Sequence, residues 1–327
     1  MKSKLIVLFC SLLALSCNTS TNKQQKDKKE YAKVAGASGE IQGEANTFTL
    51  HLNPTPGSQY HYTISNEYNI EVETDGKKIN SLNKSDVEVT YNVQKDSAGN
   101  ILLHIRHDKI HLHTKAGDKE TDMDADNASS TFDPVEKMLG MLKTANVVAT
   151  INPAGKIVGV NGYKELGEKI IAGLNITDAA AKNMAQSQWD KVIGDGLVKK
   201  NIDQLFNTFP DSTIRIGDTW KMNTQQKGEI NLNISSEYKL KDIDDGVALI
   251  ESEGELASDK GQVNVMGTQV SGNLQGNQQG EYEVDTQTGM MLKNKVTAKV
   301  EGSLQMAGKD IPVTIKTTVT MKGKKLN

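Results

Sequence analysis

Apolar and polar residues alternate over much of the chain. From Tyr60 the apolar side chains fall on even positions, Tyr60, Tyr62, Ile64, Tyr68, Ile70 and Val72, and Asn66 interrupts the face. That period of two predicts a long strand, and Asp75-Gly76 supplies the turn after it. Val87, Val89, Tyr91 and Val93 alternate again, Asp96 to Asn100 forms a second turn, and Ile101, Leu103 and Ile105 follow. Near the C-terminus Ile311, Val313, Ile315, Val319 and Met321 keep one parity. One apolar and one polar face is the mark of an antiparallel sheet with a wet side.

The period changes between residues 162 and 209. Leu166, Ile170, Leu174, Met184, Trp189, Ile193, Leu197, Ile202, Leu205 and Phe209 recur at helical spacings, as an amphipathic helix requires. Two or three helices are expected there, with Thr177-Asp178 capping one and Pro210 ending the run. Pro134 to Leu142 reads as a further short helix.

The two β-rich parts share an order of features. The first has Gly57-Ser-Gln-Tyr60, Tyr91, the turn at Gly99, and a late hairpin with Gly155 at its tip. The second has Gly217-Asp-Thr-Trp220, Tyr238, the turn at Gly246, and a late hairpin with Gly289 at its tip. Such self-similarity points to an internal duplication. The expected fold is therefore α+β and β-dominated. Two curved antiparallel sheets would flank a central helical segment. The parts are residues 46–161, a helical segment 162–209, and residues 210–327.

The N-terminus changes the picture. Lys2 and Lys4 precede a nearly unbroken apolar run from Leu5 to Leu15. The run is too short for a membrane span and reads as a signal peptide, residues 1–16. Leu13-Ala14-Leu15-Ser16-Cys17 resembles a bacterial lipobox, which implies cleavage before Cys17 and lipidation of that cysteine. Cys10 would leave with the signal, so no internal disulfide would remain. Several acyl chains would anchor the protein stably. Residues 17–45 beyond the cut are polar and read as a flexible tether. Asn18 in place of aspartate implies the outer membrane under the usual sorting rule. The tether lacks an acidic export-like cluster, which favours the periplasmic face.

Composition narrows the classes. About 280 residues follow the tether, enough for one or two domains. Net charge is −3, which gives no reason to expect nucleic acid, and the 5 % aromatic content is low for a sugar-stacking surface.

The order of lipobox, polar tether, GSQYHYTISNEYNIEVE, FDPVEKMLGML, ATINPAGKIVGVNG, helices, IRIGDTW and GEYEVDTQTGMML resembles a family of Bacteroidota lipoproteins with a domain of unknown function. That resemblance implies a lipid-anchored, β-rich protein and carries no activity or catalytic residue to transfer.

Candidate chemistry is sparse. Residues 104–113, HIRHDKIHLH, hold four of the six histidines. Apolar parity is odd through Ile105 and even from Ile110, which predicts a β-bulge or tight turn. A bulge puts His104, Arg106, Lys109, His111 and His113 on the polar face. His111 and His113 would then point the same way and form a candidate metal pair, with His104 a weaker member. Arg106 and Lys109 beside them would oppose a cation. A second candidate is Asp122, Asp124, Asp126 and Asp133, spaced like a calcium-binding loop. Asn127 stands at the glycine position and Asp133 at the glutamate position of such a loop. Ordinary solvated strand and loop residues are the plainer reading of both sets. No nucleophile elbow, phosphate loop, His-Glu-x-x-His or dinucleotide motif is present, so no catalytic residue and no cofactor are expected. Met138, Met141, Met266, Met290, Met291 and Met306 suit either a core or an adaptable cavity. These features together imply a non-enzymatic envelope protein that binds an apolar ligand on a concave sheet. The alternatives are an interaction module for another envelope protein, or a metal-dependent protein built on the histidines.

Overall fold

The computed structural model describes residues 47–327, apart from residue 75 and the stretches 129–133, 174–176, 194, 207–208, 211, 227–230, 259–260, 266–267 and 307–308. The signal segment, Cys17 and the tether lie outside the described residues, as does Asp133.

The first strands are β1 (Gln59–Thr74), β2 (Lys77–Lys95), β3 (Ile101–Ala116) and β4 (Lys119–Asp124). A 3-10 turn (Ala125–Asn127) and helix α1 (Pro134–Lys143) lead to β5 (Val147–Ile151) and β6 (Ile157–Asn161). Three helices follow: α2 (Tyr163–Gly173), α3 (Ala179–Ile193) and α4 (Asp195–Phe206). The remainder is β7 (Thr219–Gln226), β8 (Leu232–Asp244), β9 (Val247–Ser258), β10 (Gly261–Val265), β11 (Thr268–Asp285), β12 (Met291–Met306) and β13 (Lys309–Lys325). The chain is thus β-dominated, and the helices fall where the apolar spacing lengthens. Asp178 caps α3, its carboxylate accepting from the Ala181 amide at 2.7 Å.

All strands join in one 13-stranded antiparallel sheet, in the order β6-β5-β3-β2-β1-β13-β12-β11-β9-β8-β7. Strand β4 extends the β3 hairpin, and β10 pairs with β11. The expectation of two sheets is therefore corrected to one. The cause is β13. It pairs with β1 from Tyr60↔Lys325 to Val72↔Val313, and with β12 from Lys293↔Lys322 to Met306↔Lys309. A strand satisfied on both sides fuses what would otherwise be two edges. The end strands β6 and β7 do not pair with each other, so the sheet is open.

On either side of β13 the same strand order occurs: β6-β5-β3-β2-β1 and β12-β11-β9-β8-β7. The glycine turns that lead into β1 and β7 make matching bonds. The Gly57 amide donates to the Val93 carbonyl at 2.8 Å, and the Val93 amide to the Ser58 carbonyl at 3.0 Å. The Gly217 amide donates to the Leu240 carbonyl at 2.7 Å, and the Leu240 amide to the Asp218 carbonyl at 3.1 Å. Tyr60 sits opposite Tyr91, and Trp220 opposite Tyr238.

The inward face is filled from one end by the helices. Phe206 meets Tyr62 and Tyr91 edge-on, at 6.1 and 6.0 Å between ring centroids. The Trp189 indole N–H donates to the Tyr163 carbonyl at 2.8 Å across the helices. Asp195 at the start of α4 accepts from the Tyr163 amide at 2.8 Å and so caps α2. Residues 47–53 close the same end. Leu50 and Leu52 are buried, and two hairpin tips clamp this segment. A Cβ at Gly155 would lie 2.9 Å from the Leu52 carbonyl oxygen, and one at Gly289 only 2.2 Å from that of His51. Both glycines also have positive φ, so the two tips require glycine sterically and conformationally. Met290 and Met291 are fully buried and Met138 and Met141 pack against the core, so these four are core residues. The side chains of Met266 and Met306 lie outside the description.

A second apolar layer lies further along the same face. It comprises Leu232, Ile234, Leu256, Leu274, Val300, Leu304 and Val313, with Ile70, Val72 and Ile315 packed against it. Between the two layers the inward positions turn polar: Asn66, Asn83, Ser85, Ser236, Ser252 and Gln278 are all buried.

Candidate functional site

The parity change in HIRHDKIHLH is a β-bulge. The β2–β3 register runs from Val89↔His107 to Glu88↔Lys109 and skips Asp108. The extra residue reverses the facing of everything beyond it. Ile110 and Leu112 turn inward, and His111 and His113 turn outward. Asp108 holds the bulge. Its carboxylate accepts from the Thr90 hydroxyl and from Arg106 Nε, each at 2.5 Å, and lies 3.6 Å from His61 Nδ1. Burial works to raise its pKa, but the bonds from Thr90 and Arg106 and the nearby positive charge outweigh it and keep the carboxyl below its usual range.

Beyond the bulge the β3–β4 hairpin brings together members of both sequence candidates. In register are His111↔Asp124, His113↔Asp122 and Lys115↔Glu120. His113 Nδ1 lies 2.9 Å from Asp122 Oδ1, and His113 Nε2 lies 3.7 Å from Glu120 Oε1. His111 Nε2 is 3.5 Å from the same Asp122 oxygen. Lys115 contacts the other Glu120 oxygen at 3.4 Å. One ligand atom from each of His113, Glu120 and Asp122 falls within 4.8 Å of the others. Glu120 carried no sequence signal of its own; its role follows from a hairpin tip at Gly117-Asp118 that sets the register.

The other candidates go elsewhere. His104 sits between Asn92 on β2 and Val148 on β5, with its Nε2 buried and unpartnered. His107 is half-buried against Tyr163, whose hydroxyl shares a 3.1 Å hydrogen bond with its Nε2. Asp122 and Asp124 lie on a strand. Asp124 accepts from the Asp126 amide at 2.9 Å and caps the 3-10 turn, while Asp126 pairs with Lys143. Among the described residues these aspartates serve a strand end and a turn rather than one loop.

Two further features were not legible as sites. The outward face of β7, β8, β9 and β11 forms an open groove of about 1120 Å³. Asn223, Ser235, Glu255 and Asn277 stand in one cross-strand row, with Asn233 and Gln275 in the next. The only sequence signal was an amide-rich alternation at Asn273, Gln275, Asn277 and Gln279, which looks like any wet strand face. Strand β7 borders the groove and pairs with β8 alone among the described residues. On the inward face some amide oxygens have no donor: Oδ1 of Asn66 and Asn83 in the polar belt, and Oδ1 of Asn294 opposite Tyr282 and Met321 in the larger core. Buried acceptors of this kind demand a partner such as water or a ligand.

The strand arrangement and hairpin geometry belong to a β-rich domain without an assigned activity. Residues 98–291 match the family of unknown function DUF6263, and the chain belongs to that family. No curated protein matches the sequence. Among solved structures, a lipovitellin studied for lipid–protein interactions is similar at 9 % identity and a TM-score of 0.45, over 83 % of this chain and 25 % of that one. The chain thus spans about a quarter of that protein's length. An outer membrane channel of Pseudomonas putida F1 is similar at 9 % identity and a TM-score of 0.31, over 84 % and 98 % of the two chains. The translocator domain of the autotransporter NalP from Neisseria meningitidis gives 7 % identity and a TM-score of 0.19, over 83 % and 90 %. Likenesses this distant carry no argument about function.

Proposed function

We propose that the protein is a non-enzymatic lipoprotein of the Bacteroidota type. It is anchored through Cys17 to the periplasmic face of the outer membrane and binds a polypeptide partner on its polar sheet face. The observation that carries this reading is the groove beside β7. Its floor offers amide and hydroxyl groups from four neighbouring strands, and its border strand pairs, among the described residues, with β8 alone. An extended segment adding to β7 would gain main-chain hydrogen bonds there, and its side chains would lie over the Asn223 and Gln225 positions. The low aromatic content gives a sugar little to stack on. The lipobox-like Leu13-Ala14-Leu15-Ser16-Cys17 and the asparagine after it support the location.

Site-specific photo-crosslinking in intact host cells tests this. A crosslinker at Asn277 should yield a protease-sensitive adduct that one at Lys322, on β13, does not. Absence of any adduct from Asn277 refutes the partner.

A second reading, an amphiphilic ligand on the inward face, is favoured by one observation. The donor-free amide oxygens of Asn66 and Asn83 lie in the belt beside an apolar layer that no helix residue joins among those described. The inward apolar side chains are already buried by one another, so such a ligand would have to part them. Lipid retained by the purified protein in native mass spectrometry, and lost in Leu274→Arg, is its expected signature.

A further inference from the structure

We infer that the β3–β4 hairpin binds one divalent transition-metal ion, zinc, nickel or copper(II), through His113, Glu120 and Asp122, with His111 beside them as a further ligand. This goes beyond the partner-binding reading and does not depend on it.

The argument starts from strand geometry. Residues two apart on a strand share a face, so His111 and His113 on β3 and Glu120 and Asp122 on β4 all project outward from one hairpin. Metal–ligand bonds of about 2.0–2.1 Å in a tetrahedral site place neighbouring donor atoms ~3.3 Å apart. The separations to Asp122 bracket that edge, 2.9 Å from His113 Nδ1 and 3.5 Å from His111 Nε2; Glu120 faces the other nitrogen of His113, and one donor atom from each of His113, Glu120 and Asp122 lies within 4.8 Å of the others. Modest side-chain rotations therefore suffice, and the backbone needs no change.

Charge and donor type point the same way. Two carboxylates neutralise a divalent ion, and two imidazoles add nitrogen donors. A mixed nitrogen and oxygen set without thiolate suits zinc, nickel or copper(II), whereas calcium asks for six to eight oxygens. Two of the nearby cations, Arg106 and Lys115, are paired with carboxylates. Arg106 is bonded to Asp108, and Lys109 stands opposite Glu88. Lys115 contacts Oε2 of Glu120 and leaves Oε1 toward His113. The fold itself does not require this set. Strand β10, which follows β9 as β4 follows β3, pairs with β11 instead and runs GQVNV, with no histidine or carboxylate.

The test uses the untagged full chain, titrated in turn with zinc, nickel, copper(II) and calcium chlorides and followed by native mass spectrometry and calorimetry. The expected result is one equivalent of a transition-metal ion and no calcium in the same range. His113→Ala and Asp122→Asn should each weaken binding at least tenfold, and His61→Ala, in the Asp108 cluster, should leave it unchanged. Copper(II) paramagnetic resonance on the wild type should show nitrogen coupling, a readout that does not rely on any variant folding. Failure to take up any of the three ions, calcium binding alone, or uptake that persists in the His113→Ala/Asp122→Asn double variant overturns the assignment.

Discussion

His107 shows what a single residue contributes once the fold is known. Burial pushes its pKa down from 6.5 to about 4, and the charge of Asp108 only partly offsets this. Its Nδ1 has no partner, and its Nε2 faces the Tyr163 hydroxyl. The ring is therefore neutral in the folded protein and protonated in the unfolded chain between those two pH values. The unfolded state then binds the extra proton, so this stability is complete above about pH 6.5 and is lost as pH falls toward 4. At ~1.4 kcal/mol per unit the total is roughly 3 kcal/mol, with about 2 kcal/mol already lost at pH 5. Urea unfolding at pH 7.5 and pH 5 checks this. His107→Phe should be less stable than wild type at pH 7.5, because Tyr163 loses its partner, yet should fall less on acidification. Equal pH slopes in the two proteins refute it. In the sequence His107 was one more member of a cluster, because its partner lies on a helix 56 residues away and no local pattern joins them.

The bulge is the element-scale counterpart, and here the sequence was informative. Parity alone located a break between Ile105 and Ile110, because one inserted residue moves every later side chain to the other face. It did not identify Asp108 as the extra residue, nor bring Asp122 across to His113. Those follow from β2 pairing on one side and the β4 register on the other. Strands and helices were legible for the same reason as the bulge: each is a short-range period. Deleting Asp108 should remove the bulge and restore continuous alternation, with Ile110 and Leu112, both fully buried, still inward and the two histidines still outward. No apolar side chain changes face, so the deletion should cost little beyond the hydrogen bonds Asp108 makes, about 1–3 kcal/mol. Asp108→Ala keeps the register and gives up only its hydrogen bonds, about 1–3 kcal/mol. Thermal melts of the two variants check this, and a deletion far worse than the alanine would show that the bulge does more than absorb one extra residue.

At the scale of the whole molecule the two halves were readable and their union was not. Glycine turns and hairpin tips repeat within the sequence, so each half announces itself. The fusion depends on β13 meeting β1, where Tyr60 pairs with Lys325, and an alternating strand carries no mark of which edge it will join. The union has an energetic consequence. One apolar layer draws residues from both halves and from the helices, including Tyr62, Leu103, Leu139, Phe206, Tyr238 and Met291. The other is built, among the described residues, from strands alone. Its side chains have neighbours only across the sheet's own curl, and a belt of polar groups separates them from the larger core. Local opening follows the sparser packing. Native-state hydrogen exchange in a denaturant series should therefore show Ile70, Val72, Leu274, Val300 and Leu304 opening at lower free energy than Tyr62, Leu103 and Tyr238. Leu304→Ala should lower the opening energy of the first group and leave the second near its original value, whereas Leu139→Ala, beneath α1, should lower both, because the strand-only layer does not outlast the core that positions β1, β12 and β13. A single opening energy shared by all these amides, moved equally by either substitution, would mean that the polar belt couples the two layers instead of dividing them.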